Sequence, residues 1–356
     1  MGATDSITLK RIITTAASWR ASDLHFIIGS PPMLRVDGKL VPLENETNIS
    51  PEFMTTVVAT LLTTEQRQRL DEKKEVIIAT SLNPQLRFKI SVLYQRGGLA
   101  VSIHFINSTM KSLRDLGLPP AVQEFSQLPR GLVLITGPYG AGRTTTMNAI
   151  INDINQTRNA SIVTVEQPIE YLFVNNKSMI EQREVGRDAL SAAQAITMAS
   201  REDIDVIVVS EASGAEVLGA ILEAAEASRL VISTMNTSSV LATIENIFNS
   251  FPAGDLAKVR NQLSNVLAGI VSQRLLPRVG GGVVVVAEVM IPTPPVRAVI
   301  RDGALFQLSN VLQTSREAGL VSLDRSLAEL VKARTIALED ALASAQDPAT
   351  VKALSK

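Results

Sequence analysis

The chain has 356 residues and a formal net charge of −1, and it contains two histidines and no cysteine. The lack of cysteine excludes disulfides, a thiol nucleophile and cysteine-ligated metal sites, and the near-neutral charge without a basic cluster argues against nucleic-acid binding. An apolar content of 46%, mostly aliphatic, favours buried parallel strands covered by helices over a disordered chain.

The N-terminal sequence shows no cationic segment followed by an apolar stretch, as a signal peptide would. The most apolar late run, residues 283–291, contains Glu288 and is too short to cross a bilayer. We therefore expect a cytoplasmic protein, one that could still dock on a membrane complex.

The N-terminal part combines helix and strand patterns. A helix is predicted over residues 4–19, and Asp37-Gly38 between two short apolar runs predicts a hairpin with a type I′ turn. Residues 86–92 alternate between apolar and polar side chains, which predicts a half-buried strand that pairs with residues 98–106. These elements predict a small α+β domain.

From Gly131 onward, apolar strands alternate with helices, which predicts crossover units and a mainly parallel sheet. Near the end of the chain, a helix is predicted to carry four leucines on one face: Leu320, Leu323, Leu327 and Leu330. The predicted organisation is an N-terminal domain at 1–108, a linker at 109–120, an α/β core at 121–276, and a strand with helices at 277–356.

A glycine-rich loop follows the strand predicted over residues 132–136 and leads into a helix. The loop residues that could bind a phosphate group are Gly137, Gly140, Gly142, Arg143, Thr144 and Thr145. This is the frame of a Walker A motif, in which backbone N–H groups and the helix start bind phosphates and the Thr144 hydroxyl ligates a metal. It predicts ATP and Mg²⁺ as ligands; the alternative is a glycine-rich strand–helix turn without nucleotide.

Arg143 departs from this motif, which has lysine at that position. A lysine ammonium is a compact charge on a slim stem, whereas a guanidinium is planar, broader and geometrically demanding. Arg143 would therefore keep the attraction for phosphate, and it would either misplace that charge or occupy the space of the γ-phosphate.

Several segments now make a family resemblance specific. Besides the loop, they are Ser-Asp-Leu-His at 22–25, Pro-Pro-Met-Leu-Arg-Val-Asp-Gly at 31–38, Glu-Gln-Arg-Glu-Val-Gly-Arg-Asp at 181–188, Arg-Glu-Asp at 201–203 and Thr-Ser-Ser at 237–239. With these motifs the chain resembles the PilT-type retraction ATPases of type IV pilus machines over nearly its whole length. The pilus-assembly relatives usually carry paired Cys-x-x-Cys motifs, which this chain lacks.

The resemblance implies a PAS-like N-terminal domain, a RecA-like core with a helical tail, and a hexameric ring with nucleotide between neighbouring subunits. The ring would be a homo-oligomer or a mixed assembly with a paralogous ATPase, and it would act on an inner-membrane pilus platform protein. Expected activities are pilus retraction and twitching motility.

The resemblance also assigns roles to charged residues. Glu211 matches the Walker B glutamate that orients and deprotonates the attacking water, and Glu166 matches an acid that positions magnesium and water. Arg87 and Arg96 match arginines that reach the neighbour's phosphates. On the residues alone, Glu211 would be a surface acid at a strand end, and the two arginines would be solvated charges on a strand.

Further positions differ from the family pattern: Gln167 replaces an aspartate, Arg229 and Asn236 each replace a histidine, and His104 replaces an arginine. The family's arginine and aspartate that follow the Walker B glutamate are also missing from the segment at 210–214. Together with Arg143 these changes are predicted to converge on one pocket. Two functions therefore stay open. The chain is either an ATP-driven retraction motor or a slow, regulatory or structural paralogue beside an active ATPase.

Residues 295–301 resemble a short C-terminal motif that the family needs for retraction. We expect Arg297 and Arg301 to contribute to partner contacts or motor coupling. The alternative is an ordinary helix with two exposed arginines.

Overall fold

The computed structural model describes residues 3–36, 38–83, 86–106, 110–308, 311 and 320–356. The chain forms two compact units. The first comprises Met1–Thr109 and the short segment Gln167–Leu172, and the second comprises Met110–Glu166 and Phe173–Lys356. Among the described helices, none is both long and apolar enough to cross a bilayer.

The first unit is built on an antiparallel sheet. Its strands are β1 (Asp23–Ile27), β2 (Met33–Val36), β3 (Lys39–Pro42), β4 (Glu75–Asn83), β5 (Leu86–Gln95) and β6 (Gly98–Ile106), in the order β3-β2-β1-β6-β5-β4. Helices α1 (Ala3–Ser18), α2 (Pro51–Leu61) and α3 (Thr64–Lys73) complete the unit. The predicted pairing of β5 with β6 is confirmed.

Local sequence signals fix the ends of these elements. Ser50 caps α2 through a bond from the Phe53 N–H, and Thr63 and Gln66 form a reciprocal capping box at α3. β2 and β3 pair as the hairpin signal predicts. Asp37 of the predicted turn lies outside the described residues.

The second unit is built on a mainly parallel sheet, as predicted. Its strands are β7 (Gly131–Thr136), β8 (Ser161–Glu166), β9 (Met179–Glu184), β10 (Val206–Val209), β11 (Leu230–Met235), β12 (Leu267–Pro277) and β13 (Val283–Met290). Their order is β13-β12-β7-β11-β10-β8-β9, and only the β12–β13 pair among these is antiparallel.

Helices cover both faces of this sheet. They are α4 (Arg143–Thr157), α5 (Ala192–Ala199), α6 (Gly214–Glu226), α7 (Val240–Asn249), α8 (Leu256–Val266), α9 (Pro294–Asp302), α10 (Leu323–Lys332), α11 (Leu338–Ser344) and α12 (Pro348–Leu354). Alternate residues of the fully buried strand β7 enter two different apolar clusters: Leu132 and Leu134 enter one, Val133 and Ile135 the other. Burial on both faces explains why these strands are apolar without alternation.

The predicted leucine-faced helix is correct for three of its four residues. Leu323, Leu327 and Leu330 lie on α10, but Leu320 precedes the helix and packs in a different apolar cluster. Ser322 caps the start of the helix, because its hydroxyl accepts a hydrogen bond from the Arg325 N–H. The residue before it, Val321, lies outside the helix and exchanges two backbone hydrogen bonds with Val289.

Candidate functional site

The glycine-rich loop leaves β7 at Thr136 and bends sharply. Gly137, Gly140 and Gly142 have φ angles of +151°, +77° and +83°. At Gly137 a Cβ atom would lie 2.3 Å from the Gln273 carbonyl oxygen and 2.8 Å from the Ala141 Cβ. Only glycine fits this first position, because both the backbone angle and the space exclude a side chain.

The helix that follows the loop begins without a side-chain cap. Its N-cap is Gly142, and no side chain accepts a hydrogen bond there. The first intrahelical bond runs from the Thr146 N–H to the Gly142 carbonyl. The N–H groups of Arg143, Thr144 and Thr145 thus lie in the first turn, where helix geometry leaves donors for an outside acceptor and adds partial positive charge.

Arg143 brings a full positive charge to this helix start. Its side chain is half-buried, and its Nη1 atom is buried without a hydrogen-bond partner in the part of the chain that the structure describes. Burial lowers the pKa of the guanidinium, and the nearby Glu211 carboxylate opposes that shift. A guanidinium carried by the first residue of a helix that has no side-chain cap adds a full charge to the partial charge of the helix start, a combination that favours an anion.

Glu211 follows β10 at the same edge of the sheet. It is exposed, and the residues on either side of it are hydrogen-bonded to Thr234 of the neighbouring strand β11. The Thr234 hydroxyl donates to the Ser210 carbonyl at 2.6 Å, and the Ala212 N–H donates to the Thr234 carbonyl at 2.8 Å. β10 lies two strand positions from β7, which places the strands about 10 Å apart.

Glu166 ends β8, one strand position further out and about 14 Å from β7. It is buried, and its Oε1 accepts hydrogen bonds from the Thr164 hydroxyl at 2.6 Å and the Gln182 amide at 3.0 Å. The structure therefore sets Glu166 farther from the loop than Glu211 and holds it within the sheet. Gln167, the next residue, is exposed.

Asn236 follows β11 and is exposed. The segment behind it is tied to the root of the loop through hydroxyl groups. The Thr243 hydroxyl lies 2.7 Å from that of Thr237 and 3.4 Å from that of Thr136, the last residue of β7. This contact joins the two neighbouring strand ends that flank the candidate site.

Arg229 does not belong to this site, so the interpretation that all the substitutions converge on one pocket is wrong. Arg229 precedes β11, and its carbonyl accepts from the N–H of Gly131, at the start of β7. Asn236 lies at the other end of the same six-residue strand, about 20 Å away. Arg229 instead donates to the Glu202 carbonyl at 3.2 Å.

Sequence analysis missed Gln273 of β12. It is buried, its Nε2 donates to the Ala141 carbonyl at 2.7 Å, and its Oε1 accepts from the Thr146 hydroxyl at 2.9 Å. The available signal was a run of three polar residues, Ser272-Gln273-Arg274, inside an otherwise apolar strand. The contact itself depends on β12 pairing with β7, which no local pattern reveals.

The two arginines predicted to reach a neighbouring subunit lie in the first unit. Arg87, on β5, donates from Nε to the Glu170 carbonyl at 2.6 Å and from Nη2 to the Ile169 carbonyl at 2.7 Å. Arg96 is exposed at the tip of the β5–β6 hairpin, with φ +49°.

Arg297 lies in α9 and contacts its own chain. Its guanidinium donates to the carbonyls of Ser264, Asn265 and Leu267, at the end of α8. Burial lowers its pKa. Arg301, one turn later, is exposed.

Comparison with known proteins decides the family. The profile of the family described as "Type II/IV secretion system protein" matches residues 4–328. The type IV pilus retraction ATPase PilT of Pseudomonas aeruginosa is 35% identical over 345 residues, which cover 96% of this chain and 98% of that protein. The chain belongs to this family, in its PilT-type branch.

Two further relatives support this assignment. The type IV pilus ATPase PilU of Pseudomonas aeruginosa is 31% identical over 94% of this chain and 88% of its own length. The crystal structure of the pilus retraction motor PilT with bound ADP aligns with a TM-score of 0.83 and 37% identity, over 96% of this chain and 98% of that one. The predicted resemblance and the α/β fold class are thus confirmed.

Proposed function

We propose that this chain is a nucleotide-binding subunit of a PilT-like motor that retracts type IV pili and drives twitching motility. The observation that carries the proposal is the phosphate loop of the second unit. Its glycines adopt positive φ angles, the helix that follows has no side-chain cap, and Arg143, the first residue of that helix, has a buried nitrogen without a hydrogen-bond partner among the described residues. The near full-length similarity to PilT, one structure of which contains ADP, supports the same function.

The residues present fit ATP with Mg²⁺. The N–H groups of the loop and of Thr144 and Thr145 would bind phosphate oxygens, Arg143 would neutralise their charge, and the Thr144 hydroxyl would be the protein ligand of the metal. When bound, Mg²⁺ supplies charge neutralisation for the phosphate groups.

Glu211 is the best-placed general base. It is exposed at the carboxyl edge, its charge acts on Arg143, and Thr234 fixes the backbone on both sides of it. A carboxylate in this position can orient a water and accept its proton. For Glu166, we propose an indirect role through its hydrogen bond with Gln182, because its carboxylate is buried within the sheet.

For Arg87 and Arg96 we propose contacts with the phosphates bound by a neighbouring subunit of a ring, hexameric by family resemblance. Arg96 is exposed at a hairpin tip, where it is accessible for such a contact. Arg87 would first have to release the carbonyls of Ile169 and Glu170. A pilus platform protein is proposed as the partner on which the ring acts.

One observation favours the second candidate, a slow or regulatory paralogue: Arg143 in place of lysine. Similarity to PilT extends over the whole chain and is at least as high as similarity to the paralogue PilU, so the motor is the better-supported function.

The test is ATP turnover by the purified chain beside Glu211→Gln and Arg143→Lys. For a motor we expect magnesium-dependent hydrolysis that Glu211→Gln lowers by about a hundredfold or more. Equal background rates for wild type and Glu211→Gln would reject the motor. A large rise in turnover with Arg143→Lys would then show that the rest of the site is competent and that the chain itself is the slow paralogue.

A further inference from the structure

Gln273 lies at the level where β7 turns into the phosphate loop. β7 and β12 are parallel neighbours, and Thr136, the last residue of β7, pairs with Ser272. Gln273 is the next residue of β12, and its side chain is 1% exposed. A strand that continues past the end of its neighbour thus places one buried amide directly against the loop.

The two ends of this amide hold two different parts of the loop. Nε2 donates to the carbonyl of Ala141, before the helix, and Oε1 accepts from the hydroxyl of Thr146, in the first turn. Arg143, Thr144 and Thr145 lie between these contacts. A neutral amide offers one donor and one acceptor at this separation, so the two bonds fix the spacing of the loop across these three residues.

The main chain of Gln273 confines the start of the same loop. The Gln273 carbonyl oxygen lies 2.3 Å from the position that a Cβ atom of Gly137 would occupy. The side chain contributes as well, because its Nε2 lies 3.3 Å from the position that a Cβ atom of Gly142 would occupy. One residue of β12 therefore touches the loop at its first glycine, at its last glycine and on both sides of Arg143.

We propose that Gln273 is a positioning residue for phosphate binding: its amide sets the curve of the loop and thereby directs the first-turn N–H groups of α4 and Arg143 at the phosphates. The inference rests on the proposed nucleotide site and deepens it. A purely structural amide would stabilise the sheet equally with and without ligand, whereas a positioning amide affects ligand affinity beyond its effect on folding.

The experiment is a calorimetric titration of the full chain with ADP and Mg²⁺. Gln273→Leu removes both hydrogen bonds at similar volume and is expected to weaken ADP binding about tenfold. Thr146→Val removes one of them and is expected to weaken it about threefold. Because both changes break the same contact, the double variant should bind no more weakly than Gln273→Leu alone.

Ser233→Ala is the matched control. Ser233 is buried in β11, where its hydroxyl donates to the Val209 carbonyl at 2.9 Å, and Val209 belongs to β10, on the side of β11 away from β7. We expect it to lower the free energy of unfolding and to leave ADP affinity unchanged. Chemical unfolding of each ligand-free variant separates the two effects.

Gln273→Glu adds a pH readout and keeps the shape of the side chain. A protonated carboxyl has the same donor and acceptor as the amide, whereas a carboxylate has no donor and repels phosphate. ADP affinity of this variant should approach wild type at low pH and fall as pH rises, beyond any change in wild type.

An ADP affinity for Gln273→Leu within twofold of wild type would overturn the inference. If that variant does not fold, Gln273→Glu decides instead, and a pH profile parallel to that of wild type overturns it. Failure of the wild type itself to bind ADP is a different result, which overturns the proposed nucleotide site.

Discussion

Arginines at the two edges of the parallel sheet differ in how their guanidinium groups are hydrogen-bonded. At the amino edge, Arg297 donates to three carbonyls of its own chain, and Arg158 donates from one nitrogen to the carbonyls of Ser126 and Leu128. At the carboxyl edge, the Nη1 atom of Arg143 is buried and has no hydrogen-bond partner among the described residues. Burying a charge without hydrogen bonds is costly, so Arg297 and Arg158 can stabilise the fold through their own bonds, whereas the Arg143 nitrogen fits the phosphate ligand that we propose.

Arg229 lies between these two cases, because its Nη2 donates to the Glu202 carbonyl while its Nε is buried without a partner. It shows that one orphaned nitrogen alone does not mark a site. At Arg143 the orphaned nitrogen coincides with an uncapped helix start and a glycine-shaped loop.

The largest effect on ADP binding and on stability is expected at the carboxyl edge, from a change at the first loop glycine. We expect Gly137→Ala to abolish measurable ADP binding and to lower the free energy of unfolding by about 3 kcal/mol, because its methyl group would overlap the Gln273 carbonyl. Titration with ADP and urea unfolding measure the two effects. Gly117→Ala is the control: Gly117 has φ +69° but open space around it, so about 1 kcal/mol is expected. Equal effects of the two changes would contradict the steric argument.

Arg297 tests the amino edge. Arg297→Ala leaves three carbonyls of the α8 end without their donor and is expected to cost about 2 kcal/mol of unfolding free energy, with ADP affinity unchanged. Arg301→Ala, an exposed arginine of the same helix, should change stability by less than about 0.5 kcal/mol. Equal stability of the two variants in urea would show that the three hydrogen bonds contribute nothing.

A matched pair of arginines sharpens the contrast between the edges. We expect Arg158→Met to destabilise the ligand-free protein by about 1.5 kcal/mol, since two carbonyls lose a donor. Arg143→Met should leave the ligand-free protein unchanged or up to about 1 kcal/mol more stable, while ADP binding is lost. A clear loss of stability for ligand-free Arg143→Met would show that Arg143 is part of the fold.

The smallest expected effect is a pH dependence. Glu288 is buried on β13 near Arg274 and Asp324, its carboxylate accepts from the Val240 N–H, and burial raises its pKa. A carboxyl group whose pKa is raised on folding binds its proton more tightly in the folded state. Stability is therefore lost as pH rises from the ordinary value of 4.5 through the raised pKa.

Glu288→Gln should remove this dependence and should be more stable than wild type at neutral pH by about 1 kcal/mol. Urea unfolding at several pH values between 4 and 8 is the measurement. A stability difference between the two proteins that stays constant across the range would contradict the raised pKa.

The sequence alone was sufficient to predict those features of the fold and the site that depend on a short stretch of residues. The loop glycines, the caps and the apolar strands each follow from a short stretch of residues, and the family resemblance covered nearly the whole chain. It was insufficient where strands bring distant residues together: Gln273 contacts residues more than a hundred positions earlier, and Arg87 contacts Ile169 and Glu170.

Arg229 shows the converse error. It lies seven positions before Asn236 and was assigned to the same pocket, but an extended strand carries residues at its two ends to opposite edges of the sheet. Two residues that flank the same strand are therefore expected to lie far apart in space, although few residues separate them in the sequence.

The segment Gln167–Leu172 has a practical consequence for dissecting the protein. It departs from the end of β8, yet it belongs to the first unit, where Arg87 binds the carbonyls of Ile169 and Glu170, and Lys89 pairs with the Glu170 carboxylate at 2.7 Å. In a fragment that ends at residue 108, Arg87 and Lys89 would lose these partners. An autonomous N-terminal fragment would have to carry that hexapeptide as well, for instance grafted through a linker.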